Sequence, residues 1–472
     1  MALLSGIATV VGEIAIQPYT TFPWALLLNG AMDGIGFYAL RIILLTVCLK
    51  LILSPLDFFQ RYKMRKNQLI TMRLKPQMES LEKAYGNNPK VLQQKQAELN
   101  RREGVGVFAS CLPMIVTLIV FMWLWSAMRT NAEYKQFYNY AQIYERYDSA
   151  YTQAFGTDES GASWYDSATA GLSVSYGDEF VTVFDEAYAR EQTAGSADAR
   201  DKAYVTAMSD AMVTASAEYS TEYFAFYATM YADSFDGYVT DHAEVTDEVY
   251  AGARTVARLS AADRVATGYC VTKAQAAAYD YFNGKGEYEG GGYSYDSFIW
   301  IRDIWSPDTP WSSSVADDSA DFVSRVGTYA TNAERSGLSE EELEAMVSSY
   351  DTVMERILAS GETETNGYMI LPILAVLLNI LSQVIARFQQ KKSGQDAQLG
   401  QNKGCMTAMI FLTPLLMAYF AFIYCAAFTL YMVVNSAMSL LINLITTGIS
   451  KKMVPIESNG TYERQGRPDH NR

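Results

Sequence analysis

The chain has 472 residues, half of them hydrophobic, and a formal net charge of −15. The charge is unevenly spread: residues 131–365 carry −27, whereas 1–130 carry +7 and 366–472 carry +5, so the acidic character belongs to the middle of the chain. With two histidines and five cysteines, of which only Cys270 lies in that acidic middle, a histidine metal site, a histidine general base and a disulfide framework are all disfavoured.

The opening "MALLSGIATVVGEIAIQP" puts Leu3, Leu4, Ile7, Val10, Val11 and Ile14 on one helical face, and Pro18 ends the pattern. Residues 1–33 therefore read as an interfacial amphipathic segment. The alternative is a poorly ordered hydrophobic tail. No basic n-region precedes Arg41, so a signal peptide is not expected.

Five apolar stretches have the length a helix needs to cross a hydrocarbon core of about 30 Å. They cover about 34–56, 107–128, 367–387, 405–422 and 425–448. Their loops fix an orientation, because basic segments near span ends stay cytoplasmic. Residues 57–103 hold eleven basic against five acidic groups, 387–404 four against one, and the tail from Lys451 five against three. The expected topology is an outside N-terminus, five spans and a cytoplasmic C-terminus, with the acidic insert outside. The fold class is an all-α integral membrane protein.

The first span contains "TVCLKLILSPLDFF", with Lys50 among aliphatic residues five positions ahead of Pro55. A cation at that depth costs about 2.5–3.5 kcal/mol on insertion scales unless it finds water or a partner. On position alone, snorkelling to the cytoplasmic headgroups and a functional role both remain open. Arg41, in the outer half, is expected to snorkel outward or to meet a headgroup. Pro55 marks the hand-over from span to cytoplasm.

Residues 57–106 read as a charged helical hairpin, with Leu74, Met78, Leu81 and Tyr85 as an apolar stripe, Gly86 as a C-terminal cap, and Asn88-Pro89 opening the second arm. Few apolar residues pin it, so mobility is expected. Span two brings Ser110 and Thr117. The insert, 129–366, holds 24 of the 33 tyrosines. It is expected to be mostly helical, with Tyr219, Tyr223, Tyr227 and Tyr231 on one face as packing rather than a binding surface, a capping box at Ser339 and Glu342, and a glycine-rich loop at 283–294. Further polar groups sit at depth: Asn379, Ser382 and Gln383 in span three, and Thr429, Asn435, Ser436 and Asn443 in span five. Singly these are interhelical hydrogen bonds; several facing Lys50 together make a wet cavity.

No nucleotide-binding glycine loop, metal spacing or transmembrane carboxylate is found, so no catalytic residue, metal or cofactor is expected. The chain is not read as an enzyme. A solute carrier or channel is disfavoured because neither internal repeats nor a through-going polar path is visible.

Together these residues resemble the YidC-type membrane protein insertases. That family has a basic residue five positions before Pro-Leu, as Lys50 stands to Pro55-Leu56, and a cytoplasmic hairpin like "LKPQMESLEKAYGNNPKVLQQKQAELNRREG" leading into "CLPMIVTLIVF". "IWIRDIWSPDTPW" (299–311), "NGYMILPILAVLLNILSQ" and "TLYMVVNS" are similar to its later segments. The resemblance covers roughly 34–130, 297–311 and 366–450. Departures are "GVGVFASC" before span two, Thr117 where Gln is usual, Ile119 where Pro is usual, "CAAF" (425–428), and Lys where Arg is frequent.

The resemblance implies five spans around a hydrophilic groove, open to cytoplasm and lipid and closed outside, with Lys50 at its heart and Thr117, Gln383, Asn435 and Ser436 lining it. It implies insertion and chaperoning of nascent membrane proteins, with Met72, Met78, Leu81 and Tyr85 of the hairpin capturing substrate. Implied partners are nascent membrane proteins and membrane lipid, with the secretion channel and the ribosome as candidates and no specific nucleic-acid recognition. The implied location is the cell membrane, multi-pass, in a bacterium. The rival reading is a multispan anchor presenting the acidic domain outside the cell.

Overall fold

A computed structural model describes residues 27–28, 32, 34–102, 108–156, 165–166, 177–195, 199–214, 221–244, 246–285, 293–392 and 415–453. Among these residues the fold is all-helical, with one isolated bridge, Phe298 to Ile301, and no strand. The expected interfacial segment (1–33) apart from residues 27, 28 and 32, the first ten residues of span four and the basic tail beyond Met453 lie outside the described residues, as do Tyr219 and residues 286–292 of the glycine-rich loop.

Among the described residues, two helices are long and apolar enough to cross a membrane, Tyr38–Phe59 and Ala426–Ile449, with a shorter apolar helix at Ile370–Ile385. The first belongs to α1 (Tyr38–Tyr85), which runs unbroken through Pro55 and Pro76 for 48 residues. Pro55 was expected to mark the hand-over into the hairpin, yet the helix does not end there. Proline cannot donate to the carbonyl four residues back, and here the Ser54 hydroxyl donates to Leu51 O at 2.8 Å instead, so the freed acceptor is satisfied locally. Helix α2 (Pro89–Arg102) returns alongside the end of α1. Gly86 follows α1 with φ −55° and ψ −31°, so it is not the left-handed cap its residue type suggests.

Helix α3 (Phe108–Phe155) is also 48 residues long. Its first half packs with the apolar helices and its second half is a strut of the acidic insert. The insert continues with α4 (Gly177–Thr193), α5 (Ala199–Thr214), α6 (Thr221–Thr240), α7 (Asp247–Phe282), α8 (Ser319–Val326), a 3-10 turn (Gly327–Tyr329), α9 (Ala333–Ser336), α10 (Glu340–Ser348) and α11 (Tyr350–Leu358). Two separate cores form. The distal one joins α4 to α6 with the first half of α7; the proximal one joins the second halves of α3 and α7 to α8, α10 and α11. Helix α7 belongs to both because buried alanines recur along it, at 253, 257, 261, 266, 274 and 278, so that neighbouring helices approach closely.

The tyrosines supply bulk opposite these alanines. Tyr227 and Tyr231 are fully buried and pack at 6.1 and 5.4 Å from the Phe180 ring, so this part of the stripe is packing. The capping box is present: Ser339 Oγ accepts from Glu342 N at 3.2 Å, and the Glu342 carboxylate accepts from Ser339 N at 2.8 Å. The chain then enters α12 (Ile370–Lys392) and ends in a helix at 415–423 followed by α13 (Ala426–Met453).

Candidate functional site

Three helices start from one plate. Residues 296–314 and 363–371 fold into a compact knot at one end of the apolar helices. Asn366 ties it together: its Nδ2 donates to Asp303 O at 2.8 Å and Pro307 O at 2.9 Å, and its Oδ1 accepts from Asp303 N at 2.8 Å. Asp308 caps α12 by accepting from Tyr368 N at 2.9 Å and Leu371 N at 2.8 Å. The first amides of α13 donate to the plate, Ala426 N to Ser306 O at 2.9 Å and Ala427 N to Ile304 O at 2.7 Å. Tyr38, which opens α1, meets Trp305 edge-on with ring centroids 5.1 Å apart. The Trp305 carbonyl accepts from Gln136 Nε2 of α3 at 2.7 Å.

Arg41 does not snorkel. It is 5% exposed, donates to Leu28 O at 3.1 Å and to Ile35 O, and lies 4.5 Å from the Tyr38 ring. The cation thus staples the approach segment to the top of α1. A buried guanidinium is tolerable there because peptide carbonyls and an aromatic face replace water.

Beneath the plate the bundle is filled by aromatic rings. Trp125, Phe420, Tyr424 and Phe428 interlock, with Trp125 to Tyr424 at 5.6 Å and Tyr424 to Phe428 at 6.0 Å. On α13 every residue from Cys425 to Met432 is buried. On α1 the buried positions are Tyr38, Ala39, Arg41, Ile42, Leu45, Thr46, Leu49 and Lys50, and none follows through Phe59. On α1 the run of buried positions stops at Lys50; on α13 unbroken burial stops at Met432, about 9 Å below Ala426, and Ile442, Asn443 and Thr446 are buried further along. The lysine is 6% exposed and ends the run of buried side chains that α1 begins at Tyr38, with the packed stretch toward the plate and the more exposed residues 51–59 beyond it.

Depth follows from the shared plate. At about 1.5 Å per residue, Lys50 lies about 18 Å below Tyr38, Gln383 about 18 Å below Leu371, and Asn435 and Ser436 about 14–15 Å below Ala426. Four of the expected groove residues thus share one level to within a helical turn. Gln383 is half-buried and donates to Asn379 Oδ1 at 2.9 Å along its own helix; Asn435 and Ser436 are half-buried. Among the described residues, Lys50 Nζ enters no hydrogen bond or ion pair. Asp57, two turns further along the same face, is the opposite charge it feels.

Thr117 does not share that level. Helix α3 passes the plate at Gln136, so Thr117 sits about 28 Å below it, nearer the inner end. The side chains of Thr117 and Met72 lie outside the described residues. In the hairpin, Met78 and Leu81 are half-buried and Tyr85 is 39% exposed. The better-buried hairpin residues are Leu74 and Leu92, and Leu92 was not singled out by the apolar stripe. Asp303, Asp308 and Asn366 were missed as a site; the one available signal was the turn-rich "SPDTP" beside an aspartate.

Burial pushes the Asp303 carboxyl up to about 8, with Asp296 adding to the effect, whereas the Trp305 amide and Lys135 oppose it. Lys135 itself reaches Asp296 at 3.3 Å.

The exposed apolar surface is also ordered. Helix α12 exposes Ile370, Ile373, Leu374, Leu377, Ile380, Leu381 and Val384, a continuous aliphatic stripe at helical spacing, while Leu371 and Ala375 face inward. Such a stripe has no stable place in water and is the surface a bilayer covers.

Residues 31–166, which hold α1, the hairpin and most of α3, match the family described as the 60Kd inner membrane protein. The chain is 31% identical over 107 residues to the membrane protein insertase YidC of Fusobacterium nucleatum, covering 23% of this chain and 50% of that protein. It is 32% identical over 96 residues to the YidC of Caldanaerobacter subterraneus, covering 20% and 45%. The chain is a relative of the YidC-type insertases. With the YidC of Clostridium perfringens it shares 33% identity over 93 residues, covering 20% and 37%. The chain thus spans half or less of these YidC proteins, and the match leaves most of the insert outside it. No solved structure matches the chain.

Proposed function

We propose that the chain is a membrane protein insertase with a chaperone role, working through a groove centred on Lys50. One observation carries this: a buried lysine that ends the packed run of α1, level with the half-buried Gln383, Asn435 and Ser436. In this reading five spans surround the groove, the plate and the aromatic cluster close it outside, and the loosened inner half opens it to the cytoplasm and to lipid.

The chemistry is electrostatic. A carboxylate on the tail of a nascent membrane protein gains about 4 kcal/mol from a cation 4 Å away at an effective dielectric near 20, before desolvation is subtracted. Lys50 draws such a tail upward, and the dry zone left to cross is only the outer half of the bundle. The substrate's own apolar segment then leaves along the aliphatic stripe of α12. Burying some 20 apolar residues in hydrocarbon drives the step without nucleotide. The hairpin, through Met72, Met78, Leu81 and Tyr85, holds substrate before entry. Its basic surface suits anionic lipid or the ribosome, and the insert stands outside the membrane, where a secretion channel is a candidate neighbour.

Complementation of an insertase-depleted bacterium tests this. Wild type and Lys50→Arg are expected to insert a small single-span substrate with an acidic tail, and Lys50→Ala to do so poorly. Equal insertion by Lys50→Ala across acidic-tailed substrates refutes the electrostatic role.

A further inference from the structure

The plate carries a feature that insertion does not use. Phe298 and Ile301 exchange backbone hydrogen bonds, N to O at 3.0 and 2.8 Å, which makes Ile299 and Trp300 a two-residue turn. Ile299 has φ +53° and is 79% exposed. Turns of this kind favour glycine or asparagine, and a β-branched residue in the left-handed region is strained. The chain therefore holds an aliphatic side chain in the open at a conformational cost that asparagine would avoid.

Its surroundings share the character. Trp311 is 67% exposed and Tyr368 64% exposed, and the Thr309–Ser312 turn beside Trp311 bonds to Asn366 and Gly367. Between Ile299 and Tyr368 lies an open cleft of about 580 Å³ whose walls include Trp300, Arg302 and Tyr295, and the turn that carries Trp311 is bonded to its Asn366–Gly367 edge. Arg302 is exposed and, among the described residues, its guanidinium forms no hydrogen bond or ion pair, although it sits in the most acidic third of the chain.

The rim is continuous with the lipid-facing surface. Tyr368 stands two residues before Ile370, where the aliphatic stripe of α12 begins, and Phe298 packs against Phe37, the residue before α1, with centroids 6.5 Å apart. An isoleucine, two aromatic rings with polar edges and one arginine at the outer ends of spans are the groups that settle into a headgroup layer.

We infer that this cleft is a phospholipid seat in the outer leaflet: Arg302 binds the lipid phosphate, Trp311 and Tyr368 lie at the glycerol level, and Ile299 enters the acyl region. The acidic insert is repelled by anionic membranes as a whole, and the seat holds its base against that repulsion at short range. The inference rests on α1, α12 and α13 being membrane-embedded, and the test separates the two.

The full chain is reconstituted in vesicles of phosphatidylcholine with lipids brominated at shallow or deep acyl positions. The emission of Trp311 is obtained as the difference between wild type and Trp311→Phe, and that of Trp123, 57% exposed on the span portion of α3, from Trp123→Phe. Quenching of Trp123 by the deep bromolipid reports membrane embedding. Trp311 is expected to be quenched at least twofold more by shallow than by deep bromolipid. Ile299→Asn is expected to lower that quenching while raising the thermal midpoint of the detergent-solubilised chain, because asparagine relieves the strained φ. Arg302→Gln is expected to lose one retained phospholipid by native mass spectrometry, and Arg302→Lys to keep it. Quenching of Trp311 by aqueous iodide but by neither bromolipid, with Trp123 still quenched, overturns the seat and leaves the embedding intact. Unchanged lipid retention in Arg302→Gln overturns the phosphate assignment.

Discussion

Replacing Asn366 by alanine tests whether the plate holds the outer end of the bundle. The side chain is buried and makes three hydrogen bonds, to Asp303 N, Asp303 O and Pro307 O, all between 2.8 and 2.9 Å. Alanine leaves one amide and two carbonyls without partners where water has little access. Each such group costs about 1–3 kcal/mol, and partial relaxation brings the expected loss to about 3–5 kcal/mol. The backbone bonds of residue 366, from Arg302 N at 3.0 Å and to Ser312 O at 2.9 Å, survive the change, so the plate loosens and does not vanish. Thermal unfolding of the detergent-solubilised chain, followed by tryptophan fluorescence, reads the loss directly because Trp305 is part of the knot. Asn366→Asp is expected to be at least as damaging, since a carboxylate cannot donate and would sit beside Asp303. A loss below about 1 kcal/mol in Asn366→Ala would refute the reasoning.

Asp303 predicts a pH dependence. Its pKa in the folded chain, about 8, lies above the ordinary carboxylate value, so the folded state holds a proton that the unfolded state releases. Stability therefore falls as pH rises from about 4 to about 8 and is level above that, and Asp303→Asn flattens the fall in a pH series of unfolding midpoints. In the distal core, Tyr231 is fully buried and its hydroxyl has no partner among the described residues, so Tyr231→Phe is expected to leave stability unchanged or raise it by about 1 kcal/mol. A clear loss in calorimetry would count against that. Ser339→Ala removes the capping-box acceptor and is expected to cost about 1 kcal/mol, measured by the same calorimetry. Replacing residues 135–360 by a short linker separates insertase from anchor. Retained insertion of small substrates supports the groove, and loss of all phenotype with normal membrane integration supports the anchor.

Two of the five expected spans were legible because hydrophobic run length is a strong local signal. Spans at about 34–56 and 425–448 correspond to the helices at Tyr38–Phe59 and Ala426–Ile449. Lys50 stood out because a cation among aliphatic residues has few structural explanations. Helix continuity was not legible: α1 crosses Pro55 because Ser54 donates to the orphaned Leu51 carbonyl, and nothing in spacing alone announces that. The fate of Arg41 was misjudged for a related reason. Its partners are the carbonyls of Leu28 and Ile35, and backbone acceptors leave no mark on residue type. The plate was the hardest part, since it depends on Asn366 meeting residues about sixty positions away. The division of the insert into two cores hangs on the alanine spacing of α7, which reads locally as helix propensity and not as a seam.

In the proposed mechanism the buried cation of α1, Lys50, captures acidic tails. The most direct measurement is insertion of a single-span substrate into vesicles holding only the purified chain, scored by protease protection, for wild type, Lys50→Arg and Lys50→Ala against substrates with acidic and with uncharged tails. The account predicts that Lys50→Ala lowers insertion of the acidic-tailed substrate about tenfold or more, that Lys50→Arg restores it, and that the uncharged tail is much less affected. Equal insertion of the acidic-tailed substrate by wild type and Lys50→Ala contradicts it.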